Sequence, residues 1–261
     1  MTKPTLTPLY DPEKGRMRVA GFMSTKSGSN LRKLIDHSMK AGINYDVAVI
    51  FSDRNDSAAT IIGKDYGIPV VLNDKREFYA RHGIPTKDSS LRGKFDMATF
   101  EKLKPYNIHM AALAGYMSLV SDFLIDSLLL VNVHPADLNI LNQERKRKYT
   151  GEFAVKDQIL AGEKEIRSTT HIIDKGDVDS GRILMVSNPS SVILSDGFNP
   201  QDPAQLKSVG NENQGRLKEI GDWVIYPRTL EYIAIGRFQQ DERGNLYFDS
   251  KPIPEGLQSS Y

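Results

Sequence analysis

The sequence predicts an α/β fold with a mostly parallel, twisted sheet, helices on both faces and an antiparallel C-terminal part. The first observation is a short apolar run, Met17 to Met23, which is followed by a small polar loop and then by apolar residues at helical spacing. This order predicts a strand, a loop and a helix. The second observation is that strand and helix patterns keep alternating as far as Val133, which is typical of a parallel sheet covered on both faces.

The elements follow from apolar runs bounded by Asp, Asn, Gly and Pro. The next predicted strands are Tyr45 to Phe51, Ile68 to Leu72, Ile108 to Ala114 and Leu128 to Val133. The predicted helices between them are Leu31 to Met39, Ser57 to Tyr66, Gly93 to Leu103 and Ser121 to Asp126. After these come a helix at Phe153 to Leu160, strands at Ser168 to Ile173 and Arg182 to Val186, helices at Gln205 to Ile220 and Trp223 to Ile235, and a polar tail. The hairpin-like spacing of the last two strands predicts the antiparallel part.

The composition excludes several classes of function. The 261 residues carry 34 basic and 33 acidic side chains, so the net charge of +1 gives no global field that attracts nucleic acid or a membrane. The absence of cysteine excludes disulfides, thiolate nucleophiles and cysteine zinc sites. The sequence shows neither a signal peptide nor a run of about 18 apolar residues, so we expect a soluble, cytoplasmic protein.

The polar loop after the first strand is a candidate phosphate site. Ser27, Gly28, Ser29 and Asn30 lead into a helix N-terminus, where backbone N–H groups and the helix dipole favour an anion. The loop lacks the Gly-Lys-Ser/Thr of a P-loop and the spaced glycines of a dinucleotide site. A capped helix start with flexible turn residues explains the same residues equally well.

The candidate catalytic pair stands at the end of the strand that precedes Pro135. Asn132 and His134 are two residues apart, so both side chains project to the same face of an extended chain. An Asn amide can donate to a carbonyl oxygen that gains negative charge, and a His can transfer protons near neutral pH. The pair therefore suits acyl transfer, although a polar pair that ends a strand is also common in structural roles.

A third candidate lies in the acidic loop between the last two strands. Asp179 precedes a Ser-Gly turn, and a carboxylate near His134 would orient the imidazole and favour its protonated form. From the spacing alone, an acidic surface turn is the better explanation. Asp174, Asp177 and Asp179 lack the spacing of a calcium loop.

Two further sets of residues indicate neither a metal nor a nucleic acid. The remaining histidines, His37, His82, His109 and His171, have no metal-ligand spacing, so we expect no metal. The basic run Arg145 to Lys148 has no interleaved aromatic residues and is typical of a solvated loop.

Five segments in chain order are similar to the folate-dependent formyltransferase family, and together they span most of the chain. They are Ser27 to Leu31, which resembles a phosphate loop; Ala114 to Met117, a folate-pocket segment; Asn132 to Pro135, a catalytic Asn-x-His-Pro; Thr170 to Ile173 with Val178 to Gly181, a strand and turn with the catalytic Asp; and Asp222 to Pro227, a helix start with an acidic substrate ligand. The resemblance implies a Rossmann-like formyltransferase fold in which Asn132, His134 and Asp179 are catalytic.

The resemblance also implies the substrates. A formyl group would pass from 10-formyltetrahydrofolate, as co-substrate, to the amine of glycinamide ribonucleotide in de novo purine synthesis. The residues implied to bind the ribonucleotide are Ser27, Gly28, Ser29, Asn30, Arg92 and Asp222. Those implied to bind folate are Met117, Ser118, Leu119, Val120, Asp174 and Asp177. Ser118 stands where relatives commonly have Arg, and Asp222 where they usually have Glu.

Other functions remain open from the sequence. The acceptor could be another amine, such as a nucleotide-linked amino sugar, and a non-catalytic nucleotide-binding protein could share the scaffold. Hydrolysis of formyltetrahydrofolate is disfavoured because the expected regulatory domain does not fit before Met17. Formylation of initiator tRNA is disfavoured because only the region after Pro189 is left for RNA binding. We expect small-molecule substrates, no nucleic acid or membrane partner, and a monomer or homodimer.

For the domain organisation, we expect one formyltransferase domain over residues 1–261, because neither repeats nor a clear linker interrupt the pattern. We predict an N-terminal extension at 1–16 and a phosphate- or nucleotide-binding half at 17–131. A catalytic and folate-binding half at 132–240 and a C-terminal tail at 241–261 complete this division.

Overall fold

The computed structural model describes residues 4–259, so the first three residues of the predicted extension and the last two of the predicted tail lie outside the described residues. Within that range, no helix combines the length and the apolar character needed to cross a membrane. The strands are β1 (Thr7–Pro8), β2 (Met17–Met23), β3 (Tyr45–Ser52), β4 (Val70–Leu72), β5 (Met110–Leu113), β6 (Leu129–His134), β7 (Glu165–Ile166), β8 (Thr169–Ile172), β9 (Ile183–Val186), β10 (Ser190–Ser191), β11 (Phe238–Gln240), β12 (Leu246–Phe248), β13 (Lys251–Pro252) and β14 (Leu257–Gln258). The α-helices are α1 (Ser29–Ser38), α2 (Ala59–Tyr66), α3 (Lys75–Arg81), α4 (Arg92–Leu103), α5 (Asp122–Ser127), α6 (Ala154–Leu160), α7 (Pro203–Leu217) and α8 (Trp223–Ala234).

The chain forms two compact units. The N-terminal unit comprises residues 9–132 and 230–236. The C-terminal unit comprises residues 133–229 and 237–259, together with the described residues up to Pro8. The division into halves at 17–131 and 132–240 within one domain stays a prediction.

The N-terminal unit contains the parallel part of the large sheet. Strand β6 as far as Asn132, then β5, β2, β3 and β4, lie side by side in that order, and each pairs with its neighbour in parallel. Six of the seven residues of β2 are buried, as expected for a strand covered by helices on both faces. The aromatic rings of Phe22 and Phe51 pack with their centroids 4.6 Å apart. The predicted α/β fold with a mostly parallel sheet is confirmed.

The C-terminal unit contains the predicted antiparallel pair. Strand β8 pairs with β9 in the antiparallel direction, and β14 pairs with the other side of β9 in parallel. A separate antiparallel sheet has the strand order β1, β11, β12, β13. Helices α6 and α7 contribute to an apolar cluster that includes Val155, Ile159, Val209 and Leu217.

The structure also has elements that the sequence patterns did not predict. Helix α3 begins after Asp74, whose carboxylate accepts from the backbone N–H groups of Arg76 at 2.8 Å and Glu77 at 3.3 Å. The segment predicted as a helix up to Ile220 leaves the α-helical form after Leu217 and continues as a π-helical turn. The predicted extension and tail both contribute strands to the separate sheet.

We expect that Leu217→Ala lowers the free energy of unfolding by about 2–5 kcal/mol, because the side chain is fully buried in the apolar cluster and its removal leaves a cavity. Urea unfolding of the purified protein measures this change. Leu160→Ala is the control, because Leu160 lies on α6 but is half exposed. Equal losses in the two variants would contradict this account of the core.

Candidate active site

His134 is the last residue of β6 and is almost completely buried. The backbone that follows it is held by two side chains. Gln158 donates to the carbonyl of Pro135 at 3.0 Å, and the Thr169 hydroxyl donates to the carbonyl of Ala136 at 2.6 Å. The end of the strand, and with it the direction of the imidazole, is therefore fixed by packing and hydrogen bonds.

Both ring nitrogens of His134 have neighbours in the C-terminal unit. Nε2 lies 2.9 Å from the carbonyl oxygen of Tyr149, and Nδ1 lies 3.4 Å from Oδ2 of Asp179. A carbonyl oxygen only accepts, so Nε2 carries the proton in this hydrogen bond. Burial lowers the pKa of His134, while the charge of Asp179 and the carbonyl of Tyr149 act in the opposite direction. The ring can therefore take up or release a proton at Nδ1 next to the carboxylate.

The Asp179 carboxylate lies between two histidines. Its side chain is 7% exposed, and Oδ1 lies 3.5 Å from Nε2 of His171, whose side chain is fully buried. The backbone N–H of Gly151 donates to Oδ2 at 2.8 Å. Burial raises the pKa of Asp179, but His171, the charge of His134 and the Gly151 N–H outweigh burial and lower that pKa to about 2. Asp179 is therefore a stable anion at neutral pH.

The structure thus brings together His134 and Asp179, as the sequence patterns suggested, and adds residues that they did not identify. His171 was considered for metal binding and as part of the Thr170 to Ile173 segment but not as a site residue, and neither were Gly151 and Tyr149. The signal for His171 was its place on the strand before the Asp179 turn. Among residues 4–259, no group of three or more His, Asp or Glu side chains is arranged to hold a metal ion.

Asn132 lies on β6 two residues before His134 and is partly buried. Side chains two residues apart on a strand project from the same side, so the amide and the imidazole leave the strand in the same direction. The backbone of Asn132 pairs with Leu113 of β5. The pair is therefore built on a regular strand rather than on a loop.

The predicted phosphate loop leads directly into α1 of the N-terminal unit. Gly28 is the N-cap residue with φ 59°, and no side chain caps this helix. A Cβ at Gly28 would lie 2.4 Å from Cδ1 of Ile62, so only glycine suits this close approach. Ser27 is exposed, and Ser29 and Asn30 are partly exposed. The arrangement matches a helix N-terminus that is open to an anion.

The predicted folate segment is partly exposed and is held by a buried carboxylate. Met117 and Leu119 are 57% and 67% exposed. The Ser118 hydroxyl donates to Oδ2 of Asp53 at 2.6 Å, and the Ser24 hydroxyl donates to Oδ1 at 2.6 Å. The backbone N–H of Met117 donates to the Ser24 hydroxyl at 3.1 Å. Asp53, which the sequence patterns did not single out, therefore ties this segment to the end of β3. The fourth residue of the segment, Val120, is partly buried.

Arg92 begins α4 and is buried with its charge paired. Its Nη2 and Nε donate to the Asp96 carboxylate at 2.6 Å and 3.1 Å, and Nη2 also donates to the Tyr116 hydroxyl at 2.8 Å. Its other terminal nitrogen, Nη1, is buried and has no hydrogen-bond partner in the described part of the chain. The role of Arg92 in substrate binding stays a prediction.

The other residues that are predicted to bind the substrates differ in their surroundings. Asp222 lies in the π-helical turn, is 3% exposed and accepts from the Ser168 hydroxyl at 2.5 Å. Asp174 is engaged by Arg182, whose Nε and Nη2 each donate to its carboxylate at 2.9 Å. Asp177 is highly exposed. Their roles in substrate binding stay predictions.

A family model described as formyl transferase matches residues 17–196, which is more than half of the chain and includes Asn132, His134 and Asp179. The chain belongs to the formyl transferase family. Four of the five sequence segments lie within this match, and the resemblance to the family is thereby confirmed.

Individual relatives of this formyl transferase share modest identity with it. The phosphoribosylglycinamide formyltransferase of Haemophilus influenzae is 23% identical over 242 residues, which are 92% of this chain and 97% of that protein. The trifunctional purine biosynthetic protein adenosine-3 of Drosophila melanogaster is 32% identical over 174 residues, or 65% of this chain. The alignments with this protein and its Chironomus tentans counterpart cover only 11% and 14% of those longer chains.

Solved structures share the fold of this formyl transferase. The phosphoribosylglycinamide formyltransferase of Coxiella burnetii has a TM-score of 0.71 at 21% identity, and the match covers 93% of this chain and 99% of that one. The glycinamide ribonucleotide transformylase 1 of Symbiobacterium toebii has a TM-score of 0.65 at 24% identity, with 89% and 94% covered. At these identities the likeness establishes the fold.

We expect the free energy of unfolding to decrease as the pH falls below about 6.5, the ordinary pKa of histidine. Burial lowers the pKa of His134 in the folded protein, so the unfolded chain binds more protons in this range and acid favours unfolding. Asp179, with a pKa of about 2, stays ionised there and contributes nothing to the change.

Urea unfolding at about pH 7.5 and about pH 5.5 measures this effect in wild type and in His134→Gln. Burial lowers the pKa of His109 as well, so the variant retains part of the decrease. The difference between the two proteins isolates His134. An equal decrease in both would show that His134 titrates at the same pH in the folded and unfolded states.

Proposed function

We propose that this chain transfers the formyl group of 10-formyltetrahydrofolate to the amine of glycinamide ribonucleotide. The observation that carries the proposal is the buried His134–Asp179 pair, with 3.4 Å between Nδ1 and Oδ2, at the end of the strand that also bears Asn132. Membership of the formyl transferase family supports the formyl group, and the similarity to phosphoribosylglycinamide formyltransferases supports this acceptor. The non-catalytic alternative assigns no role to the buried His134 beside the Asp179 carboxylate.

The proposed chemistry is a direct transfer. The amine nitrogen of the ribonucleotide attacks the formyl carbon and forms a tetrahedral centre whose oxygen carries negative charge. The Asn132 amide donates a hydrogen bond to that oxygen. His134, which is neutral because burial lowers its pKa, accepts the proton that the attacking amine loses, and the resulting imidazolium, stabilised by Asp179, supports the same charge. The bond from carbon to the folate nitrogen then breaks. The attacking amine loses one proton and the departing nitrogen gains one, with His134 transferring it.

The substrate contacts are part of the same proposal. The ribonucleotide phosphate binds at Ser27 to Asn30, where the uncapped N-terminus of α1 supplies backbone donors. Arg92 and Asp222 contribute further contacts to this substrate. Folate binds along Met117, Ser118, Leu119 and Val120, with Asp174 and Asp177 at the loop before Asp179. We also propose that the protein acts in the cytoplasm, as a monomer or homodimer, without a metal.

We expect His134→Ala to lower kcat by about 10²-fold or more, because general acid–base groups contribute at least this much. The assay measures formylated ribonucleotide from glycinamide ribonucleotide and 10-formyltetrahydrofolate. His82→Ala is the control, because His82 is exposed and lies in the N-terminal unit. Unchanged turnover in His134→Ala would overturn the assignment of His134.

We expect Asp222→Asn to weaken binding of the ribonucleotide by about tenfold or more while binding of folate changes little. The reason is that the variant loses the negative charge of the side chain that is proposed to bind the ribonucleotide. The Asn side chain keeps an oxygen for the Ser168 hydroxyl, so the local packing is preserved. Equilibrium binding of each substrate measures the two effects, and Glu219→Gln is the exposed, neighbouring control. Equal weakening of both substrates would argue for another acceptor.

The formyl acceptor can be tested directly with the wild-type protein. Glycinamide ribonucleotide, a nucleotide-linked amino sugar and water are compared as acceptors of the formyl group in the same assay. The proposal requires product with glycinamide ribonucleotide at the highest kcat/KM. A higher value for the amino sugar would replace the acceptor, and no turnover with any acceptor would support the non-catalytic alternative.

A further inference from the structure

The basic segment after Asn-x-His-Pro is an ordered hairpin rather than a loose loop. Leu141 and Arg147 form an antiparallel bridge, and the backbone N–H of Lys148 donates to the carbonyl of Ile140 at 2.9 Å. The Asn142 side-chain oxygen accepts from the backbone N–H groups of two residues in the turn, at 3.0 Å and 2.9 Å. The hairpin therefore presents its side chains in defined directions.

Arg147 is the exception among the basic residues of this hairpin. Arg145, Lys146 and Lys148 are exposed, as the solvated-loop interpretation predicts, whereas Arg147 is half buried. Its Nη1 donates to the backbone carbonyl of Asp179, and its Nη2 donates to the carbonyl of Gly181 at 2.6 Å. The planar fork of the guanidinium thus holds two carbonyl groups of the same turn.

The turn that Arg147 holds has an unfavourable backbone. Asp179 adopts φ 56°, in the left-handed region that residues other than glycine rarely occupy. Such a conformation persists only where the surroundings over-determine it. One restraint lies within the turn: the backbone N–H of Ser180 donates to the carbonyl of Asp177 at 3.1 Å. The two bonds from Arg147 restrain the backbone of the turn from outside it.

We propose that Arg147 is a positioning residue that fixes the Asp179 carboxylate against His134 by clamping the backbone of the Asp179 turn. This inference rests on the proposed function, because it assigns Arg147 an effect on the chemistry of the proposed catalytic pair. The clamp uses a fork of two donors, and a lysine, with a single ammonium group, cannot reproduce that geometry.

The electrostatic surroundings agree with this role. Burial lowers the pKa of Arg147, and the negative charges of Asp179 and Asp174 oppose the shift and keep the guanidinium charged. Desolvation of a half-buried cation is unfavourable unless the cation makes specific contacts that offset it. Arg147 makes these contacts with backbone oxygens, so it leaves both carboxylate oxygens of Asp179 to Gly151 and the histidines.

The first test compares Arg147→Met, Arg147→Lys and the control Lys146→Met in the formyl-transfer assay. Lys146 is adjacent, carries the same charge and is 65% exposed. We expect kcat to fall by about 10- to 100-fold in Arg147→Met, by less in Arg147→Lys and not at all in the control, because small misplacements of catalytic groups reduce rates by such factors. KM for each substrate should change by less than about threefold, because the lost effect lies in the transition state.

The second test does not depend on turnover. Hydrogen exchange of the Gly151 amide reports on the position of the Asp179 carboxylate, which accepts from it. We expect this exchange to accelerate about tenfold or more in Arg147→Met. The Ser187 amide, which donates to the Ser168 carbonyl at 2.9 Å, is the internal reference and should be unaffected. Lys146→Met should leave both amides unchanged.

The outcomes separate this inference from the proposed function. Wild-type kcat in Arg147→Met, unchanged exchange at Gly151, or equal acceleration at Gly151 and Ser187 would overturn the positioning role, the last because it indicates general destabilisation. If the wild-type protein forms no product, the proposed function fails, and the exchange measurement alone decides whether Arg147 positions Asp179. If Arg147→Met does not fold, the same comparisons with Arg147→Lys decide it.

Discussion

The buried charge of Asp179 is the constraint on which the candidate site depends. A carboxylate that is 7% exposed loses most of its hydration, and such a loss is unfavourable by several kcal/mol unless other groups replace the water. His134 and His171 face its two oxygens, and the Gly151 N–H adds a hydrogen bond. Each of these groups comes from a different segment of the C-terminal unit, so those segments must fold together before the charge is tolerated.

In the N-terminal unit, neutral hydroxyl donors stabilise another buried carboxylate. Asp53 is 2% exposed and accepts from the hydroxyls of Ser24 and Ser118, which come from the ends of other segments of that unit. The short hydroxyl of Ser118 turns inward to this carboxylate. The proposed folate segment of this chain is thus anchored to its own sheet through a hydrogen bond, and its apolar side chains remain at the surface.

Patterns with local causes could be predicted from the sequence. The strand Met17–Met23 is an apolar run that contains one charged residue, Arg18, and its bounds agree with the structure; the alternation around it gives the α/β fold. Asn132 and His134 share a strand, so their common direction follows from spacing. The contacts of Asp179 could not be predicted in this way, because tertiary packing brings its partners together. The basic charge of Arg147 suggested solvent exposure, yet its guanidinium donates to two backbone carbonyls. The sequence does not distinguish these outcomes, because the two carbonyls belong to a distant segment of the chain.

The pairing of β14 with β9 has a consequence for how the protein can associate. All four residues of β9 are buried and apolar, and a two-residue strand covers its outer side. Gly256, at φ 79°, lets the chain approach Ile183 closely enough for that cover to form. If β14 detached, β9 would expose unpaired backbone groups and become a template for strands of other molecules. By pairing with β9, the short strand β14 therefore protects the protein against edge-to-edge aggregation.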